Sequence, residues 1–167
     1  MSNDPRRIAR LAASMRQLLF KLPLCLAALL LLAAVASDRA AADVAFLDVL
    51  SNKPLDVPLP EGAQRTEAVV HFHKTGENFY SGKGDAIAAG KKIYTGLCAS
   101  CHLPNATGRL GPSLIDNESK YPRMNTDVGM FEIIYGGGAG AMQAFSKRGM
   151  SQDDMLQVMA YINSLRK

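Results

Sequence analysis

Net charge is missing from most of this chain. The 167 residues carry 19 Lys+Arg against 15 Asp+Glu. The excess sits at the front, where Arg6, Arg7, Arg10, Arg16 and Lys21 face Asp4 alone, and residues 37–167 are formally neutral. The basic isoelectric point of about 9.1 therefore belongs to a leading segment, and a nucleic-acid role for the rest loses its main support. Cysteine is scarce, at 3, which excludes a disulfide-stapled scaffold. Internal repeats are absent, and the only low-complexity tract is a short glycine run. The remaining composition excludes disordered and collagen-like chains.

The leading segment has a recognisable form. A basic stretch ends at Lys21, and an uncharged, mostly apolar run follows from Leu22 to Ala36. It is shorter than the roughly 20 residues a helix needs to cross a bilayer. Ala34-Val35-Ala36 suits cleavage before Ser37, with an alternative site after Ala42. Residues 1–36 thus read as a secretory signal peptide, an uncleaved membrane anchor being the alternative. A buried core helix fits less well. Arg6-Arg7 is followed by Ile8-Ala9-Arg10, a poor match to twin-arginine export. Cleavage removes Cys25 and leaves Cys98 and Cys101, with no stable membrane insertion expected of the mature chain.

That pair reads Cys98-Ala99-Ser100-Cys101-His102, the attachment sequence for c-type haem. Two thiols on one helical turn reach the two vinyl groups along one porphyrin edge, and the adjoining His102 sits under the iron as proximal ligand. A thioredoxin-like dithiol needs a βαβ setting that the sequence does not show. A zinc site would need a second ligand pair, for which only His71 and His73 remain. Export agrees with haem, because bacteria complete its covalent attachment outside the cytoplasm.

Around the motif the pattern is helical. Ile87, Ala88 or Gly90, Tyr94 and Leu97 fall at helical spacing over 85–97. Ser151-Gln152-Asp153-Asp154 forms a capping box for a last helix whose apolar stripe is Met155, Val158, Met159, Ile162 and Leu165. From about Ser81 to Lys167 the chain resembles the class I cytochromes c, an all-α fold with crossed first and last helices around one haem. Gly90, Tyr94 and Tyr161 look like that family's helix-crossing contact. The resemblance also implies that the carbonyl of Pro112 holds the second nitrogen of His102.

An electron carrier needs a second axial ligand on iron. Setting aside Met1 and Met15 in the signal and Met155 and Met159 as core filler, Met124, Met130, Met142 and Met150 remain. Met142 follows Gly136-Gly137-Gly138-Ala139-Gly140-Ala141, a run without bulky side chains that can lie flat on a porphyrin and present one sulfur. It also lies where the family carries its ligand. Met150 is the rival. A bis-histidine haem through His71 or His73 fits less well, since their alternation with Phe72 reads as an extended surface segment.

Three further stretches narrow the resemblance: Arg65 to Asn78, Tyr121 to Asp127 and Gly129 to Gly137. They are similar to the cytochrome cL family from about Phe46 to Lys167. This implies a periplasmic monohaem carrier, not an enzyme, that takes single electrons from quinoprotein methanol or alcohol dehydrogenase in methanol oxidation and methylotrophy. It passes them to another cytochrome c or a terminal oxidase. Some relatives hold Ca2+ near a propionate. The chain departs from the family in having no net acidic charge and no tryptophan near Tyr121-Pro122. Residues 37–80 read as a loop-rich extension wrapping the haem domain of 81–167, with Pro54, Pro58 and Pro60 breaking any long helix and a short helix near Glu67–His73. Lys91, Lys92, Arg109, Lys147 and Arg148 are candidates for the rim of the exposed haem edge. The reading from another class is a haem with an open sixth site, serving as a gas or peroxide sensor or enzyme.

Overall fold

The computed structural model describes residues 43–116 and 121–166; the signal segment lies outside them. Helix α1 (Glu67–Thr75) starts where the Thr66 hydroxyl accepts the Val69 amide, and stops at Gly76 in the left-handed region, φ 74°. Helix α2 (Gly84–Leu97) runs into Cys98. A single turn, α3 (Ala99–His102), follows at once. Helix α4 (Asp127–Gly136) is capped by Thr126, whose hydroxyl accepts the Gly129 amide. Helix α5 (Gln152–Leu165) is capped by Ser151, which accepts the Asp154 amide at 3.0 Å. The Asp154 carboxylate takes the Ser151 hydroxyl at 2.7 Å, so the capping box closes through the hydroxyl. Among the described residues there is no strand beyond an isolated bridge between Leu47 and Pro54, and no helix long and apolar enough to cross a membrane.

The fold rests on the crossing of α2 over α5. A Cβ placed on Gly90 would stand 2.0 Å from the Gln157 carbonyl oxygen and 2.4 Å from its carbon. The two backbones therefore touch there, and only glycine leaves the room. One turn further, the rings of Tyr94 and Tyr161 meet edge to face with centroids 5.2 Å apart. The expected stripe on α2 is corrected in two places. Ala88 is exposed, with Gly90 holding the inward position, and Leu97 is 45% exposed.

The N-terminal extension does more than wrap. Phe46, Phe72 and Phe131 come together with centroid separations of 4.9 to 5.9 Å, and Val69 is buried beside them. Burying aromatic and branched side chains on this scale contributes about 1.5–3 kcal/mol each, so residues 43–80 share one core with α4 and α5. Polar contacts fix the register. Glu132, fully buried at 0%, accepts both Nε and Nη2 of Arg123 at 2.8 and 2.7 Å and the Leu47 amide at 2.8 Å. A buried carboxylate needs such partners, and here one of them is the extension's backbone. Asp153, on the first turn of α5, accepts Thr66 Oγ1 at 2.5 Å and Tyr80 Oη at 2.8 Å. Burial, with Asp153 next in effect, pushes the Tyr80 phenol up to about 12.

The short helix expected near Glu67–His73 is present and runs on to Thr75, so the extended reading of His71-Phe72-His73 is overturned. These residues lie on α1, where a hydrogen-bonded helix turns Phe72 and His73 inward. His73 Nε2 meets Gln152 Oε1 at 2.7 Å, and Gln152 donates Nε2 to the Pro58 carbonyl at 2.8 Å. The histidine that looked available as a ligand is tied into the junction of extension and α5.

Candidate haem-attachment site

Cys98 ends α2 and begins α3, and the turn between them sets both thiols and the imidazole. The Cys101 and His102 amides both donate to the Cys98 carbonyl, at 3.1 and 2.9 Å. His102 is buried at 8%, and its Nδ1 donates to the Pro112 carbonyl at 2.8 Å. A carbonyl only accepts, so Nδ1 carries the proton and Nε2 is the nitrogen with a lone pair. No hydrogen bond among the described residues engages it.

The loop that delivers Pro112 is folded back on the motif. Gly108 and Gly111 donate to the carbonyls of His102 and Cys101, both at 3.0 Å. Leu114 donates to Ala106 at 2.9 Å, and Arg166, just past α5, donates Nε to the Leu114 carbonyl at 3.0 Å. Burial lowers the Arg166 pKa. Gly111 lies flat against the imidazole, since a Cβ there would stand 2.4 to 2.8 Å from three ring atoms. On the other side of the motif, Tyr94 donates its hydroxyl to the Leu103 carbonyl at 2.8 Å, and Tyr161 to Pro104 at 3.1 Å. The tyrosines of the helix crossing thus also hold the chain as it leaves His102.

Such a donor set fits a covalently held haem. Two partly exposed thiols share a turn with a buried imidazole whose outer nitrogen is already bonded, which sets the tautomer an iron ligand needs. The dithiol reading fares worse. Burial, with Cys101 next in effect, pushes the Cys98 thiol up to about 11, the reverse of the lowered thiol pKa of redox pairs. The zinc reading has no support, because no three His, Cys, Asp or Glu side chains gather among the described residues.

Met142 stands in a separate loop, between α4 and the final helix. Its carbonyl accepts the Gly138 amide at 2.9 Å, and its side chain is partly exposed at the edge of the core. Met124, Met130, Met155 and Met159 are buried within the protein, whereas Met142 and Met150 keep exposed surface.

The comparisons agree with this geometry. The family of cytochrome C oxidase, cbb3-type, subunit III matches residues 85–162, the stretch from α2 to α5. Cytochrome c-L of Methylorubrum extorquens is 38% identical over 123 residues, covering 73% of this chain and 62% of its own length. The crystal structure of cytochrome cL from Methylophaga aminisulfidivorans superposes with a TM-score of 0.69 at 36% identity, covering 74% of this chain and 81% of that one. The chain belongs to the cytochrome cL family. Cytochrome cL of Hyphomicrobium denitrificans gives a TM-score of 0.70 at 33% identity, covering 75% and 76% of the two chains. The matches extend well beyond the family match at 85–162, as the shared core of extension and haem domain requires. The fold is accordingly the all-α class I cytochrome c fold with an added N-terminal segment.

The sequence pointed to Cys98, Cys101, His102 and Pro112, and the structure brings them together. It did not point to Gly111, to the hydroxyls of Tyr94 and Tyr161, or to Arg166. Gly111 had one signal, its place beside Pro112; the roles of the other three depend on loops whose path no local pattern encodes.

Proposed function

We propose that this protein is a periplasmic carrier of single electrons, holding one haem c through Cys98 and Cys101. In this reading His102 and Met142 are its axial ligands, and its donor is a quinoprotein methanol or alcohol dehydrogenase. The acceptor is another cytochrome c or a terminal oxidase. Residues 1–36 serve as the export signal, 37–80 as the extension and 81–167 as the haem domain. The observation that carries the reading is the His102–Pro112 hydrogen bond of 2.8 Å on a turn that also offers both thiols.

When bound, the haem supplies an iron that stores and releases one electron. The chain's own task is to hold still while that happens. Nδ1 of His102 gives its proton's hydrogen bond to Pro112, Gly111 packs on the ring face, and two tyrosine hydroxyls fix the carbonyls that follow. A ligand fixed this firmly changes little between the two oxidation states. Met142 is preferred as the opposite ligand because four other methionines are sealed in the core and because the glycine run before it lets its loop lie close to a flat group.

The test is direct. Mass spectrometry of the exported protein should show one covalent haem and a start at Ser37 or nearby. Stopped-flow mixing should show one-electron reduction by a calcium- or lanthanide-dependent quinoprotein methanol dehydrogenase. A colourless product with the mass of bare polypeptide defeats the reading.

A further inference from the structure

The loop that carries Met142 is closed on itself. The Gly138 amide donates to the Met142 carbonyl at 2.9 Å. Gly137, at φ 87°, lies so near that turn that a Cβ on it would stand 2.9 Å from the Ala144 nitrogen and 3.0 Å from the Met142 carbonyl oxygen. Residues 138–142 therefore form one compact piece. Its downstream end is tied to α4, where Phe145 donates its amide to the Ile134 carbonyl at 3.0 Å and Ser146 its hydroxyl to the Tyr135 carbonyl at 2.7 Å. The tip is tied elsewhere. The Ala139 amide donates to the hydroxyl of Tyr121 at 3.2 Å. Among the described residues no other hydrogen bond joins 138–142 to a different segment.

Tyr121 reaches the tip from a firm base. It precedes the turn Pro122–Asn125, whose Met124 is buried. A Cβ on Gly129 would stand 2.0 Å from the Arg123 carbonyl oxygen, so this turn rests directly on the backbone of α4. Arg123 grips the buried Glu132 carboxylate with two hydrogen bonds, and the extension adds a third through the Leu47 amide. Leu55, also of the extension, lies against the end of α4, where a Cβ on Gly136 would stand 3.3 Å from its Cδ2. The extension thus braces both the base under Tyr121 and the start of the glycine run.

We propose that Tyr121 is a positioning residue for the sixth ligand: its hydroxyl holds the glycine loop where Met142 can serve the iron. The inference rests on the proposed function, which makes Met142 that ligand. It gives the N-terminal extension a task at the haem site, because the extension completes the clamp that orients Tyr121. Ala139 is exposed, so water can take the place of Tyr121 once the loop lifts. Loss of the hydroxyl should therefore loosen the ligand without abolishing ligation. One hydrogen bond of this kind shifts an equilibrium about two- to tenfold.

The experiment uses the haem-loaded, exported protein. Imidazole captures ferric iron only while the methionine is off, so its binding rate at saturating imidazole reports how often the loop opens. Tyr121→Phe should raise that rate about two- to tenfold. It should also weaken the far-red band of methionine-ligated ferric haem and speed deuterium uptake in the peptide spanning 137–145. Arg123→Lys keeps the charge but not the two-pronged grip on Glu132, and should raise the imidazole rate in the same direction. Tyr80→Phe deletes a hydroxyl bonded to Asp153 instead and should leave that rate alone. A Tyr121→Phe protein with the parent's imidazole rate and loop uptake overturns the proposal and leaves the electron carrier standing. An equal rise in Tyr80→Phe overturns it as well, since the effect would then be general loosening. A Met142→Ala protein that keeps the parent's spectrum removes the ligand assignment and this inference together.

Discussion

Replacing Gly111 by alanine isolates the contact that positions His102. Its φ lies outside the left-handed region, so the backbone accepts alanine and any penalty is one of space. The new Cβ would stand 2.4 Å from Cε1 of the imidazole, where ordinary contact begins near 3.4 Å. The ring must retreat by about 1 Å, and the 2.8 Å bond from Nδ1 to the Pro112 carbonyl stretches past the useful range, which ends near 3.2 Å. A less firmly bonded imidazole is a weaker donor and favours ferric iron less. If that preference falls tenfold, the midpoint potential rises by about 60 mV for a one-electron couple. A spectroelectrochemical titration measures this. Gly96→Ala is the matched control, since a Cβ there meets nothing within 4 Å; it should leave the potential alone and stabilise the fold by about 0.5–1 kcal/mol. A Gly111→Ala protein with haem attached and a potential within about 10 mV of the parent would refute the reasoning.

Gly90→Ala pushes backbone against backbone at the helix crossing and should cost about 1–3 kcal/mol, read as a lower thermal midpoint; an equal or higher midpoint means α2 and α5 can separate freely. Met142→Ala should keep its haem, lower the potential and open the iron to carbon monoxide, and an unchanged spectrum would send the ligand search to Met150. Tyr80 gives a pH signature. Its folded pKa, about 12, exceeds the ordinary 10.0, so its stabilising effect is complete below pH 10 and is lost as pH climbs through 12. Tyr80→Phe should therefore lose less stability than the parent between about pH 9 and pH 11.5. Parallel denaturation curves at the two pH values would show that Tyr80 is not the group responsible.

The sequence alone determined the chemistry of the site. Cys98, Cys101 and His102 lie within a single turn, so one helical repeat fixes their geometry wherever the turn is placed. The periodicity of α5 and its Ser151 cap were legible for the same reason, being properties of neighbouring residues. Pro112 was legible only through family resemblance, because it lies ten positions along a loop from the ring it holds.

The tertiary structure decided what depends on distant segments meeting. It turned Phe72 and His73 of the expected short helix into the core, because Phe72 finds Phe46 and Phe131 while His73 finds Gln152. It made the extension part of the core by giving the buried carboxylate of Glu132 the Leu47 amide as a partner. It also gave Tyr94 and Tyr161 a second use, holding the chain beyond His102. Local pattern encodes which residue types share a turn or a face. Which faces and loops meet is settled by the burial of apolar surface and the pairing of buried polar groups across the whole chain.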